Sequence, residues 1–129
     1  MKYLIILILL SSCASEARRI DNRVNNMIEY KFDDVDYWQT PEETLNLKTG
    51  DCEDYAILKW QMMVDAGINS DDIYFIMIYF PEIDSYHLML EYNGKYYDSA
   101  MKNRGRYNKD FVLIEKFTAN DKRLTKLRE

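Results

Sequence analysis

The dipeptide Asn93-Gly94 separates two tyrosine-rich segments, residues 86–92 and 95–99. Asn-Gly accepts a positive φ at both positions, which makes it the strongest local signal for a two-residue type I′ β-hairpin. A run of β-branched and aromatic residues, 73–80, precedes these segments and ends at Pro81, so we expect it to form a central strand. The second half of the chain is therefore predicted to form an antiparallel sheet.

The register of this hairpin predicts a pairing between a histidine and an aspartate. Counting outward from the turn places Met89 opposite Asp98. His87 lies on the same face as Met89, because alternate residues of a strand point the same way. Asp98 is then one diagonal step from His87, at about 7 Å between backbones, and two side chains can close that gap.

A cysteine lies among carboxylates in the string Gly50-Asp51-Cys52-Glu53-Asp54-Tyr55-Ala56. Gly50 suits the end of one helix, where it accepts the left-handed conformation, and Asp51 suits the N-cap of the next helix. Cys52 then falls in the first helical turn, where the helix dipole favours a thiolate. The three neighbouring carboxylates oppose this effect, so the thiol needs a positive partner, either an imidazolium or a cation that neutralises the carboxylates.

Apolar periodicity and capping residues predict the remaining elements. A stripe of apolar residues at helical spacing begins at Ile20, Thr40-Pro41 forms the start of a capping box, and Gly67 suits a helix C-cap. The predicted elements are helices over residues 15–30, 41–48 and 52–66 and, after the hairpin, a last strand within residues 109–117.

The N-terminus reads as an export signal. A lysine precedes an apolar run over residues 3–10, which is too short to span a bilayer, and Leu10-Ser11-Ser12-Cys13 resembles a bacterial lipobox. The pattern predicts a lipoprotein signal peptide at residues 1–12, a lipidated Cys13, and a single domain over residues 13–129. Ala14 favours anchoring to the outer membrane, on its periplasmic side, in a cell that has one. The alternative is an ordinary signal peptide with a coincidental cysteine.

The charge and the cysteine count narrow the function. The formal net charge of −5 becomes about −6 once residues 1–12 are removed, and an acidic chain is a poor candidate for nucleic-acid binding. If lipid consumes Cys13, then Cys52 has no disulfide partner in an oxidising compartment, which indicates a reactive thiol. The competing interpretation, a buried inert Cys52, fits poorly with its acidic neighbours.

These residues together predict a catalytic triad on an α+β fold. Cys52 attacks a carbonyl, His87 takes and returns the proton, and Asp98 fixes the imidazole tautomer. His87 is the chain's only histidine, and lone histidines are usually structural, but here a hairpin supplies an acceptor and a helix start supplies a thiol. A zinc site is the weaker alternative, because one cysteine and one histidine are too few ligands.

The same residues resemble a known family. The strings Trp38-Gln39-Thr40-Pro41-Glu42-Glu43, Gly50 to Ile57, His87-Leu88-Met89-Leu90 and Tyr97-Asp98 are similar to those of the bacterial transglutaminase-like cysteine peptidases. The best-known members of that family are periplasmic proteases that release large adhesins. The resemblance implies a papain-like α+β fold, with the catalytic cysteine at the N-terminus of a central helix packed on an antiparallel sheet, and the chain order Cys, His, Asp.

The resemblance also implies a calcium ion near the active site. Its ligands map onto Asp51 and Glu53, with Asp54 nearby, and hard carboxylate oxygens suit Ca²⁺. The chain departs from the family in two respects. It is shorter than the adhesin-cleaving members, and Ser99 stands where an asparagine commonly follows the triad aspartate.

The sequence therefore predicts an exported, lipid-anchored thiol hydrolase, a cysteine peptidase that acts on a cell-envelope or surface protein. An oxyanion donor is required, and the candidates are the backbone N–H of Cys52 and a group from the Trp38-Gln39 region. Two alternatives stay open. One is a catalytically silent calcium-binding or protein-interaction module of the same fold, and the other is acyl transfer to an amine, as in transglutaminases.

Overall fold

Helices occupy the first half of the chain and an antiparallel sheet the second. The computed structural model describes residues 2–99 and 111–125, with side chains from residue 12 onward. The elements are α1 (Lys2–Met27), β1 (Glu29–Tyr30), α2 (Pro41–Leu47), β2 (Thr49–Gly50), α3 (Cys52–Asp65), β3 (Ile73–Phe80), β4 (Ser85–Tyr92), β5 (Lys95–Tyr97), β6 (Val112–Phe117) and α4 (Lys122–Thr125).

The sheet in this part of the chain has the strand order β5-β4-β3-β6, and each neighbouring pair is antiparallel. The predicted hairpin is confirmed, with Tyr92 opposite Lys95 and positive φ angles of 51° at Asn93 and 74° at Gly94. The central strand over residues 73–80 and the last strand within 109–117 are confirmed as well. The second hairpin strand ends at Tyr97, two residues earlier than predicted.

Helix α3 lies at the centre of the fold and is buried around most of its circumference. It packs against α1 and α2 on one side and against β4 on the other. Tyr55 and Met63 have no solvent exposure, and the Trp60 ring lies 6.3 Å from the Phe75 ring of the sheet. Burial of a large apolar side chain contributes about 1.5–3 kcal/mol, so this helix carries much of the core.

Helix α1 buries the predicted stripe. Ile20 and Val24 pack into the core, together with Ala17 from the preceding turn. The helix ends at Met27 and not at residue 30, because Glu29–Tyr30 pairs in parallel with Thr49–Gly50. The boundary predicted between residues 12 and 13 falls inside α1 and stays a prediction. No helix described in residues 2–99 and 111–125 is long and apolar enough to cross a membrane.

The conformation predicted for Gly50 is wrong. Helix α2 begins at the predicted N-cap Thr40, but its left-handed C-cap is Lys48, with a φ of 57°. Gly50 lies instead in β2, where an added Cβ would be 2.7 Å from the Cβ of Asp54. A side chain at Gly50 would therefore clash with the start of α3, so the glycine serves a close approach between two segments.

Residues 100–110 and 126–129 lie outside the described residues. Residues 122–125 form α4, whose Leu124 is buried against the core. The predicted α+β architecture, with the cysteine at the start of a central helix packed on an antiparallel sheet, is confirmed.

Candidate active site

Cys52 is the first residue of α3, as predicted. Asp51 caps the helix, since its side chain accepts from the backbone N–H of Asp54, and the Asp54 side chain accepts in return from the backbone N–H of Asp51 at 3.1 Å. This reciprocal capping box fixes the entry of the chain into the helix. The thiol is therefore held at a helix N-terminus, with only 8% of Cys52 exposed.

The carboxylate of Asp54 is engaged by backbone groups. One oxygen accepts from the backbone N–H of Gln39 at 2.8 Å and the other from that of Asp51. Burial raises the pKa of Asp54 to about 7, although both hydrogen bonds oppose the shift. The structure gives this side chain a capping role, whereas its predicted role as a metal ligand stays a prediction.

The pair predicted from the hairpin register is present. His87 Nε2 and Asp98 Oδ1 are 2.5 Å apart, and the same oxygen accepts from the backbone N–H of Ser99 at 2.7 Å. His87 is 3% exposed, and its ring centroid lies 6.2 Å from that of Phe80. The imidazole is thus fixed by a carboxylate on one ring nitrogen and by an aromatic neighbour.

The thiol lies beside the strand that carries the histidine. The backbone N–H of Leu88, next to His87, donates to the sulfur of Cys52. Cys52 and His87 also line one cavity of about 310 Å³, together with Ser85 and Tyr86 from the start of β4. The structure therefore brings together Cys52, His87 and Asp98, and their catalytic roles stay predictions.

The cavity is strongly acidic, and part of its wall was missed by sequence reasoning. Besides Asp51 and Glu53 from α3, the loop between β1 and α2 contributes Asp33, Asp34 and Asp36. Aromatic side chains from the same loop region line the cavity as well, namely Tyr30 and Phe32. The dense alternation of acidic and aromatic residues in this loop was the available signal, but only the fold places it opposite the thiol.

Burial and the neighbouring carboxylates raise the pKa of the Cys52 thiol. Burial raises its pKa most, and the charge of Glu53 raises it further, while the hydrogen bond from the backbone N–H of Leu88 lowers it. The thiol donates to Glu53 Oε2 at 3.2 Å. The carboxylates and burial therefore outweigh the helix dipole, and the need for a positive partner, inferred from the sequence, applies to this site.

Asp51 and Glu53 lie close together beside the thiol, and their predicted role as ligands of a hard cation stays a prediction. Burial raises the pKa of Glu53 to about 7, and a hydrogen bond and like charge from Asp51 add to the shift. A bound cation would lower the free-energy cost of ionising these two neighbouring carboxylates. Across residues 2–99 and 111–125, no group of three or more His, Cys, Asp or Glu side chains is placed to hold a metal ion.

One of the two candidate oxyanion donors lies at this cavity. Cys52 lines it, and its backbone N–H belongs to the first turn of α3. Gln39 lines a neighbouring cavity of about 180 Å³, and its side-chain oxygen accepts from the hydroxyl of Thr44 at 2.9 Å. The geometry favours Cys52.

Most of the chain matches a known family model. Residues 7–107 match the model described as bacterial transglutaminase-like cysteine proteinase, and this range includes Cys52, His87 and Asp98. The chain belongs to this family. No curated protein matches the chain.

Solved structures of LapG from Legionella pneumophila share the fold. The calcium-bound structure is 23% identical in sequence, with a TM-score of 0.69. The match covers 82% of this chain and 65% of the LapG chain. The EGTA-treated structure is 22% identical in sequence, with a TM-score of 0.70. The match covers 83% of this chain and 64% of the LapG chain. A further LapG structure is 21% identical with a TM-score of 0.66. The chain thus spans slightly less than two thirds of these proteins.

The charge of Glu53 generates a prediction about thiol reactivity. Because this carboxylate raises the pKa of Cys52, Glu53→Gln should lower that pKa and increase alkylation of Cys52 by iodoacetamide at pH 8 by about tenfold, the effect of one pKa unit. The measurement is the alkylation rate of the Cys52 peptide by mass spectrometry, in chelator, from pH 6 to 10. Asp71→Asn, an exposed carboxylate remote from the cavity, is the control, and equal rates in all three proteins would contradict the prediction.

Proposed function

We propose that this chain is a cell-envelope cysteine peptidase that hydrolyses a peptide bond in a surface protein. Membership of the cysteine proteinase family supports this function. The observation that carries it is the 2.5 Å contact between His87 Nε2 and Asp98 Oδ1 at a cavity that the Cys52 thiol also lines. The adhesins released by the best-known members of the family suggest the substrate class, an extended segment of a large surface protein.

The mechanism depends on which ring nitrogen of His87 is hydrogen-bonded to Asp98. Because Nε2 of His87 pairs with Asp98, Nδ1 is the nitrogen that takes the proton from Cys52. The sulfur attacks the scissile carbonyl, the imidazolium protonates the leaving amine, and an acyl-thioester remains on Cys52. Water, deprotonated by His87, then releases the acid and restores the thiol. The backbone N–H of Cys52 is the proposed oxyanion donor.

Calcium belongs to the proposal because the donors fit it. Asp51 and Glu53 would hold the ion, and the LapG structures described as calcium-bound and EGTA-treated support a role for it. When bound, Ca²⁺ supplies positive charge that offsets the two carboxylates. With that charge offset, Glu53 no longer stabilises the protonated thiol, and His87 can deprotonate Cys52 more readily.

A lipid on Cys13 completes the proposal. The lipobox-like string supports it, and Cys13 is half-buried and packs against the core. Lipid chains would then supply the membrane affinity and confine the peptidase to substrates at the membrane surface.

A catalytically silent calcium-binding module is the second candidate. The raised pKa of Cys52 favours it, because a protonated thiol is a weak nucleophile. Amine-accepting acyl transfer uses the same residues as the peptidase and differs only in the acceptor that attacks the thioester.

The peptidase proposal predicts that hydrolysis depends on all three residues. Cys52→Ala should lower the rate by several orders of magnitude without unfolding the protein, and His87→Ala and Asp98→Asn should also be strongly impaired. The measurement is the appearance of new N-termini in a library of envelope-protein peptides, followed by mass spectrometry. Adding a primary amine tests acyl transfer, which would yield amide adducts. Equal cleavage by wild type and Cys52→Ala would exclude the proposal, and the absence of any cleavage or amide adduct with the wild type would favour the silent module.

The calcium proposal predicts that chelation lowers both the melting temperature and the activity. An ion that binds only the folded state stabilises it by about 2.7 kcal/mol at one hundred times its Kd. Melting curves and cleavage rates should be measured in chelator, then with Ca²⁺ or Mg²⁺ restored, for wild type and for Asp51→Ala with Glu53→Ala. Asp71→Ala is the matched control. An unchanged melting temperature in chelator would remove calcium from the proposal.

The anchor proposal predicts that Cys13→Ser moves the protein out of the membrane fraction, or leaves it unprocessed, because the lipid chains supply the affinity. Cys52→Ser is the matched control and should stay in the membrane fraction. Fractionation followed by intact-mass measurement tests this, and an unmodified Cys13 in the processed protein would contradict it.

A further inference from the structure

Lys59 is a charged side chain inside the core. It lies on α3 and has no solvent exposure. Fully buried lysines are rare, because removing an ammonium group from water is costly unless partners replace the water. The contacts of Lys59 should therefore show why the position carries a lysine and not an apolar residue.

Three partners surround the ammonium group. Nζ forms an ion pair with Asp21 Oδ1 of α1 at 2.7 Å, donates to the backbone carbonyl of Asp98, and lies 5.7 Å from the centre of the Tyr55 ring. Burial lowers the pKa of Lys59, while Asp21 and Asp98 both favour its charged form. The lysine thus joins α1, α3 and the segment that follows β5.

Asp98 lies just beyond the ladder of the sheet. The pairing of β4 with β5 ends at Tyr97 opposite Leu90, so the strand register does not extend to Asp98. Its carboxylate receives the backbone N–H of Ser99 and the ring nitrogen of His87, and its backbone carbonyl receives Lys59. Lys59 therefore holds the main chain of Asp98 just beyond the last paired residue of β5.

Helix α3 connects this contact to the thiol. Lys59 follows Cys52 by seven residues, which is two helical turns, so the two side chains lie on the same side of the helix about 10 Å apart along its axis. One rigid element thereby sets the positions of the nucleophile and of the group that holds the aspartate.

We propose that Lys59 is a positioning residue for the His87–Asp98 pair: its contact with the Asp98 carbonyl, braced by Asp21, keeps the Asp98 carboxylate on Nε2 of His87. The proposal rests on the proposed function for its catalytic consequence, but the positioning itself is a property of the fold. A lysine that served only the core would stabilise the protein without affecting the imidazole.

The imidazole offers a direct readout because the chain has a single histidine. The tautomer of a neutral histidine is set by the hydrogen bond that its ring nitrogens make, so Asp98 favours the proton on Nε2. Ring ¹⁵N chemical shifts of the full chain in detergent micelles, at a pH where His87 is neutral, measure the fraction with a proton on Nε2.

Lys59→Met keeps the length of the side chain and removes its charge and its hydrogen bonds. We expect the Nε2–H fraction to fall as it should in Asp98→Ala, which removes the acceptor, and the cleavage rate to fall by between about tenfold and a hundredfold in kcat with little change in KM. Lys116→Met is the control, since it removes an exposed lysine paired with Glu91 at 2.9 Å on the same sheet. It should change neither quantity.

A second variant keeps the proposal testable if Lys59→Met does not fold. Lys59→Met leaves Asp21 unpaired, so Lys59→Met with Asp21→Asn removes both charges and carries the same expected result. The proposal is overturned if either folded variant keeps the wild-type Nε2–H fraction while Asp98→Ala loses it. Because the spectrum needs no substrate, a change in the tautomer without any peptidase activity in wild type would support Lys59 and refute only the proposed function.

Discussion

The buried carboxylate of Asp54 is the interaction on which the site depends. It bonds the backbone N–H of Gln39 in the loop before α2 and that of Asp51 at the start of α3. Gly50 leaves room for it, because a side chain there would overlap Asp54. The entry of the chain into α3, and hence the position of Cys52, is set by this one side chain.

That arrangement places carboxylates beside Cys52, the proposed nucleophile. Burial raises the pKa of Cys52, Glu53 and Asp54 alike, so each of the three groups favours its protonated form. A helix N-terminus is usually a site that favours anions. Here the carboxylates cancel that advantage, which is the electrostatic reason for linking the proposed peptidase to a cation at Asp51 and Glu53.

The features predicted correctly from the sequence are those encoded by short segments. Asn93-Gly94 identified the hairpin that brings His87 near Asp98, and Asp51 identified the start of α3, because turn and cap chemistry act over a few residues. The conformation of Gly50 was wrong, since its reason is a contact with Asp54 that only the folded chain creates.

Contacts between segments that are distant in the sequence could not be predicted for the same reason, because only the folded chain creates them. The acidic loop before α2 faces the thiol only because β1 pairs with β2, and no periodicity predicts that pairing. In the sequence, Lys59 is one charged residue within the mainly apolar residues 55–64 of α3. Its role depends on Asp21 and Asp98, which lie 38 and 39 residues away in opposite directions along the chain.

The hairpin has a consequence for how such a site tolerates change in chain length. His87 and Asp98 are eleven residues apart and flank one hairpin turn, so their contact is local in the sequence and has a low contact order. A change of chain length outside residues 87–98 leaves the number of residues between them unchanged. A single residue inserted at Asn93-Gly94 would instead move the later side chains of the hairpin to the other face of the sheet. The pair is thus most sensitive to a change of chain length at this one turn.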